Sequence, residues 1–250
     1  MDLLDIWKYL LFLIGFLEEY PKDGAFNNNS EINSSKSFDV IIFTQSWPKT
    51  VCFDWQESSE SHKCSLPAKS QWSIHGLWPT ELHTVGPNYC NNKIKFDAKR
   101  LQNIREELKV KWIDVHDGEH PESFWKHEWI KHGTCSINLA HLNSEEKYFR
   151  TGLELFDKYA MNNVLEKVNI LPGKEYPVEQ FLDGVLDVLG VESVVVCRKN
   201  RKTQEQYIME IRVCLDKDLN LVNCHGIHDF PTNCNRTKNV IYLDTPPKLF

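Results

Sequence analysis

The chain has 250 residues, 41% of them hydrophobic, which suits one large domain or two small ones; no internal repeat or low-complexity tract divides it, so one is the simpler reading. A net charge of −6 with neutral histidines argues against a nucleic-acid binder that relies on a broad basic patch. Ten histidines qualify this: protonating all of them would turn −6 into +4, so below a pKa of about 6.5 the molecule would reverse sign and could attract a polyanion.

Residues 1–25 read as a signal peptide. The run YLLFLIGFL at 9–17 follows Lys8 and is too short to span a bilayer, although Asp2 and Asp5 acidify a start that is usually positive. An amphipathic opening helix is the alternative. Residues 26–37 form a polar leader, expected to be disordered, with N-x-S/T sequons at Asn28 and Asn33, and a third sequon stands at Asn235. The eight cysteines are even in number, widely spaced and free of any C-x-x-C, which points to disulfides rather than metal or redox work. These features together place the chain in the secretory pathway, either secreted or in a lysosomal or endosomal compartment, without a membrane span.

A single domain is expected over 38–250. FDVIIFTQSWP at 38–48 is a near-continuous apolar run and reads as a buried strand ending at Pro48. QWSIHGLWP at 71–79 reads as a second strand ending at Pro79: Trp72, Ile74 and Gly76 would face one side, and Ser73, His75 and Leu77 the other. Helices are expected over 97–112, 124–132, 144–167 and 177–189, from apolar spacings such as Leu101, Ile104 and Leu108. Strands follow at 191–197, 206–215, 219–224 and 239–244, the middle two joined by a turn around Asp216–Asp218. Helices in the middle with strands before and after suggest an α+β fold with a mainly antiparallel sheet.

The segment FWKHEWIKHGTC at 124–135 concentrates chemistry. At about 100° per residue, His127, Lys131, Glu128 and His132 fall at roughly 0°, 40°, 100° and 140°, so all four share one face of a short helix that Gly133 could end. Zinc is rejected here. The H-E-x-x-H motif needs its histidines at i and i+4, whereas H-E-W-I-K-H is one residue too long and places Lys131 beside the ion. A plain solvated charged face remains the bland reading of this stretch alone.

His75 on a strand changes that balance. Two separated imidazoles suit RNA cleavage without a metal: RNA carries its own nucleophile, the 2′-OH, and needs a base for that proton and an acid for the departing 5′ oxygen. A cation such as Lys131 can steady the charge on phosphorus, and Glu128 would hold an imidazole or raise its pKa.

WSIHGLWP at 72–79 and FWKHEWIKHGTC at 124–135 resemble the two active-site segments of the ribonuclease T2 family. FTQSWPKTVC at 43–52 resembles its first strand, and the likeness extends through the later cysteines to about residue 234. The resemblance implies an α+β fold around an antiparallel sheet with four disulfides: Cys52–Cys64, Cys90–Cys135, Cys197–Cys234 and Cys214–Cys224. It implies an endoribonuclease that cuts single-stranded RNA by transesterification through a 2′,3′-cyclic phosphate to 3′-phosphate ends, at acid pH, as a monomer with no cofactor or metal. His132 would be the base, His75 the acid, Glu128 and Lys131 stabilisers of the transition state, and His127 a phosphate contact. Trp78, two residues beyond Gly76, offers an aromatic plate on which a base could stack, a core tryptophan being the alternative; Phe124 and Gln45 match positions that line the second base site in relatives, and Thr80 stands where purine-preferring members often have Asp. A binding protein that keeps the fold without cleavage is the rival; intact His75, His132, Glu128 and Lys131 favour the enzyme. Trp47, Trp72, Trp125 and Trp129 are expected in the core.

Overall fold

The computed structural model describes residues 37–59, 61–116 and 120–246. The expected signal peptide, the polar leader and the sequons at Asn28 and Asn33 lie outside them. The sheet is built on β1 (Val40–Ser46), β2 (Ser73–Thr80), β3 (Lys174–Tyr176), β4 (Val194–Lys199), β5 (Gln206–Leu215), β6 (Leu221–Val222) and β7 (Val240–Tyr242). Its order is β2-β1-β5-β7-β3, with β4 and β6 also on β5. Every pairing is antiparallel except β5 with β7.

Among the described residues the helices are α1 (Pro48–Ser58), α2 (Arg105–Lys111), α3 (Pro121–Lys131), α4 (Glu145–Tyr159), α5 (Met161–Lys167) and α6 (Val178–Leu189). The first strand stops at Ser46, and Pro48, expected to end it, opens α1 instead. Proline fits the first helical position because its fixed φ is already helical and its missing N–H would have had no partner there. The helix expected over 97–112 is broken: Asp97 accepts from Lys99 N–H to cap a 3₁₀ turn at Ala98–Leu101, and α2 starts only after Ile104. The helix expected over 144–167 is divided at Ala160, which leaves helical geometry (φ −55°, ψ 119°). Gln45 on β1 holds that break open, donating to Tyr159 O (2.8 Å) and accepting from Met161 N–H (3.1 Å).

β1 separates two apolar layers. Ile41 and Phe43 join the main core with Ile74, Leu77, Ile211 and Val213, while Ile42 faces a smaller cluster with Val194, Val196 and the Cys214–Cys224 disulfide. Helical side chains fill the main core, and the four expected tryptophans are buried: Trp47, Trp72 and Trp125 at 0% exposure and Trp129 at 2%. All four disulfides implied by the resemblance are present. Cys90–Cys135 ties the loop after β2 to the turn that follows α3, where Tyr89 N–H also donates to Lys131 O (2.8 Å).

Candidate active site

The β1–β2 register places the first candidate residue. Thr44 pairs with Gly76 and Gln45 with Ile74, so His75 is an extra residue in a β-bulge. A bulge resets the alternation of side chains. Leu77, expected beside His75, is instead buried at 0% in the same core as Ile74, and it is Trp78 that shares a cavity wall with His75. The strand also continues through Pro79 to Thr80, which an edge strand such as β2 tolerates. Gly76 sits where backbone and side chains nearly touch: a Cβ there would collide with Trp78 Nε1 and Glu128 Oε2.

α3 supplies the facing wall. Trp125 and Trp129, four residues apart, anchor it in the core, and Trp125 Nε1–H donates to Trp112 O (2.8 Å). The helix ends with His132 N–H on Glu128 O (3.0 Å), and a 3₁₀ turn at Gly133–Cys135 follows. Gly133 is needed for contact rather than for a left-handed stop, because a Cβ there would strike the Trp129 ring.

His75, Trp78, His127, Glu128, Lys131 and His132 all line one cavity of about 400 Å³, together with Arg212 and His228, and Val85 and Asn88 from the loop after β2. Trp78 stands between the two catalytic candidates: its ring centroid is 5.0 Å from that of His75 and 5.3 Å from that of His132. Its Nε1–H donates to Glu128 Oε2 (2.9 Å), and the Arg212 guanidinium lies over its ring at 5.6 Å.

The ionisable groups are driven apart in proton affinity. Burial, helped by the charges of Lys131, His75 and His127, pushes His132 down to about 2, so its ring is neutral. Burial also works against charge on His75, but the charge and hydrogen bond of Glu210 outweigh it and raise His75 above its ordinary value. Burial pushes the Glu128 carboxyl up to about 7 despite the nearby cations and the Trp78 N–H. The site thus pairs a neutral imidazole with one held in the charged form, and its helical carboxyl is protonated in mild acid.

Among the described residues no hydrogen bond links Glu128 to an imidazole, although its charge does help to raise His75; the carboxylate–imidazole bond is made elsewhere. Glu210, on β5 and 4% exposed, accepts from His75 Nδ1 at 2.6 Å. Sequence reasoning missed Glu210 and Arg212. Their signal was available: two charged residues two apart in an otherwise apolar strand share a face, and burial of such groups demands a partner.

Gln45 is no base contact here. It is 1% exposed, and its amide oxygen and nitrogen serve the α4–α5 break. Phe124 lies 5.9 Å from His75 and lines a smaller recess of about 90 Å³ behind it with His116 and Glu210. Asn235, the one described sequon, accepts at Oδ1 from the N–H (2.9 Å) and hydroxyl (2.8 Å) of Thr237. Among the described residues, no cluster of three or more His, Cys, Asp or Glu is placed to hold a metal ion, and no helix is long and apolar enough to cross a membrane.

Residues 38–224 match the Ribonuclease T2 family. The chain is similar to Ribonuclease Oy of Magallana gigas, with 35% identity over 212 residues covering 83% of this chain and 97% of that protein. It is also similar to human Ribonuclease T2, with 35% identity over 200 residues, 78% of this chain and 74% of that one. The crystal structure of human RNase T2 superposes with a TM-score of 0.68 at 33% identity, covering 84% of this chain and 100% of the other.

Proposed function

Because the chain belongs to the ribonuclease T2 family and is an endoribonuclease, we propose that it cuts single-stranded RNA by transesterification at the His75–His132 cavity. His132 takes the proton of the ribose 2′-OH as its oxygen bonds to phosphorus. The bond to the 5′ oxygen breaks, and that oxygen leaves with the Nε2 proton of His75. The resulting 2′,3′-cyclic phosphate is opened by water to a 3′-phosphate with the two proton transfers reversed.

The observation that carries this reading is geometric: His75 and His132 line one cavity on either side of the Trp78 ring, and Glu210 at 2.6 Å from His75 Nδ1 favours the charged form of that imidazole, as the acid requires. Lys131 and the protonated Glu128 carboxyl attend the non-bridging oxygens, and the exposed His127 binds phosphate. Toward alkaline pH His75 loses the proton that the leaving oxygen needs, and above about pH 7 Glu128 also ionises and sets a negative charge beside the phosphate, so the enzyme works best in acid. That preference suits an acidic secretory compartment and a chain processed through the secretory route, with residues 38–250 as the catalytic domain, Asn235 a glycosylation site and a monomer the working form. Trp78 and Phe124 offer aromatic surface to unstacked bases, which favours single strands.

Pure protein with excess EDTA should convert a short mixed-sequence RNA to cyclic-phosphate and then 3′-phosphate ends, faster at about pH 5 than at about pH 7.5. DNA of the same sequence, lacking the 2′-OH, should survive. Loss of RNA cleavage on chelation, or 5′-phosphate ends, would remove this reading.

A further inference from the structure

Behind His75 lies a chain of charged groups that the two proton transfers do not themselves use. Glu210 Oε1 holds His75 Nδ1, and Glu210 Oε2 accepts from Arg212 Nε (3.0 Å) and Nη2 (2.7 Å). Arg212 Nη1 in turn lies 3.7 Å from Asp229 Oδ2. His75 and Glu210 stand on strands separated by β1, two strand spacings or about 10 Å apart at the backbone. Both are next to or in a bulge: His75 is the extra residue of β2, and Met209, beside Glu210, is the extra residue of β5 opposite Val196 and Cys197. A carboxylate buried to 4% exposure beside an arginine has one oxygen satisfied by that arginine and the other by the imidazole.

We propose that Glu210, itself fixed by Arg212, is a positioning residue for RNA cleavage: it clamps Nδ1 of His75 so that Nε2–H faces the leaving 5′ oxygen, and it holds that proton in place until bond breaking. This rests on the reading of His75 as the general acid. When the phosphorus–5′-oxygen bond breaks, its electron pair stays on that oxygen and takes the Nε2 proton. The ring is left neutral with Nδ1–H still donated to Glu210, so the pair passes from a charge-assisted to a neutral–ionic hydrogen bond and the carboxylate never gains a proton. The same logic orients the imidazole in hydrolytic triads, where a buried carboxylate selects the tautomer. The other titratable or charged groups lining the two recesses around His75 are Glu128, His127, Lys131 and His132 from α3 and its end, Asp114 and His116 from the loop after α2, Arg212 from β5 and His228 from the loop after β6. Glu210 is hydrogen-bonded to the ring, and the rise in His75 proton affinity comes chiefly from it.

The test compares two leaving groups. Glu210→Gln should lose about 10–100-fold in kcat/KM on a dinucleoside phosphate, whose alkoxide leaving group needs a proton. On nucleoside 3′-(4-nitrophenyl) phosphates, whose aryl oxide departs unprotonated, the same variant should stay within about threefold of wild type. Its alkaline limb on the dinucleoside substrate should move down by about one pH unit, and Glu210→Asp should restore much of that shift. Equal losses on both substrates, or an unmoved limb, would overturn the role of Glu210. His75→Ala separates the two levels: turnover of RNA by that variant would sink the general-acid reading itself, whereas an inactive His75→Ala with an unaffected Glu210→Gln removes only the present inference. If Glu210→Gln does not fold, NMR titration of wild-type His75 decides, since a midpoint at or below about 6.5 contradicts a clamping carboxylate.

Discussion

The helical wall and the sheet wall of the cavity each bury one carboxylate, and the two behave oppositely. Glu128 on α3 is 1% exposed and Glu210 on β5 is 4% exposed, so burial alone would raise both. Glu128 has the neutral Trp78 N–H as its hydrogen-bond donor and rises to about 7. Glu210 has the His75 ring and the Arg212 fork as direct donors and falls to about 2. Desolvation thus sets a penalty on charge, but directly bonded cations decide whether the charge survives. One wall thereby holds a proton ready in acid, and the other keeps a permanent anion behind an imidazole.

The strongest way to break this contrast is to delete the proposed base at the end of α3. His132→Ala should lower RNA cleavage by about 10²–10⁴-fold while near-UV circular dichroism stays native, and a smaller loss would move the base elsewhere. The joint between the walls comes next. Removing Cys90–Cys135, which closes a separation of 45 residues, by paired alanines should cost about 4 kcal/mol in denaturant unfolding and loosen the two halves of the site.

The pH dependence of stability sharpens the comparison further. Between about pH 4.5 and 6.5 the folded state holds the Glu128 proton that the unfolded chain has lost, which makes stability fall as pH rises. In the same window the unfolded chain binds a proton at residue 132 that the folded ring refuses, which makes stability rise with pH. The two slopes, each about 1.4 kcal/mol per pH unit, oppose each other. Glu128→Gln should therefore unmask a positive slope and His132→Ala a negative one, read from urea midpoints across that window; identical slopes in the two variants would contradict the assigned protonation states. The smallest effect concerns the sheet wall away from the chemistry. Gln45→Leu should cost about 2 kcal/mol by leaving Tyr159 O and Met161 N–H unpaired, with little change in kcat on a dinucleoside phosphate.

The helical wall was legible because its chemistry is contiguous. Four candidate side chains on one short segment follow from residue spacing, and the structure brings all four, three from α3 and His132 from its C-terminal cap, to the same cavity. The apolar spacings likewise located the strands other than the short β3 and the helices other than α1, since periodic burial is a local signal. The break at Ala160 escaped because its cause is remote: the chain leaves the helix where Gln45, more than a hundred residues earlier, supplies the hydrogen bonds that a continuous helix would have made internally.

The sequence by itself determined the class of fold, the tryptophan core and the identity of the two imidazoles, because hydrophobic period and a compact motif are written in neighbouring residues. Tertiary structure alone decided how those imidazoles are protonated. The bulge at His75 exists only in the register of β2 against β1, and the Glu210 contact joins residues 135 positions apart. Proton affinity is set by burial and by the charges that folding gathers within a few ångströms, and neither quantity exists along an extended chain.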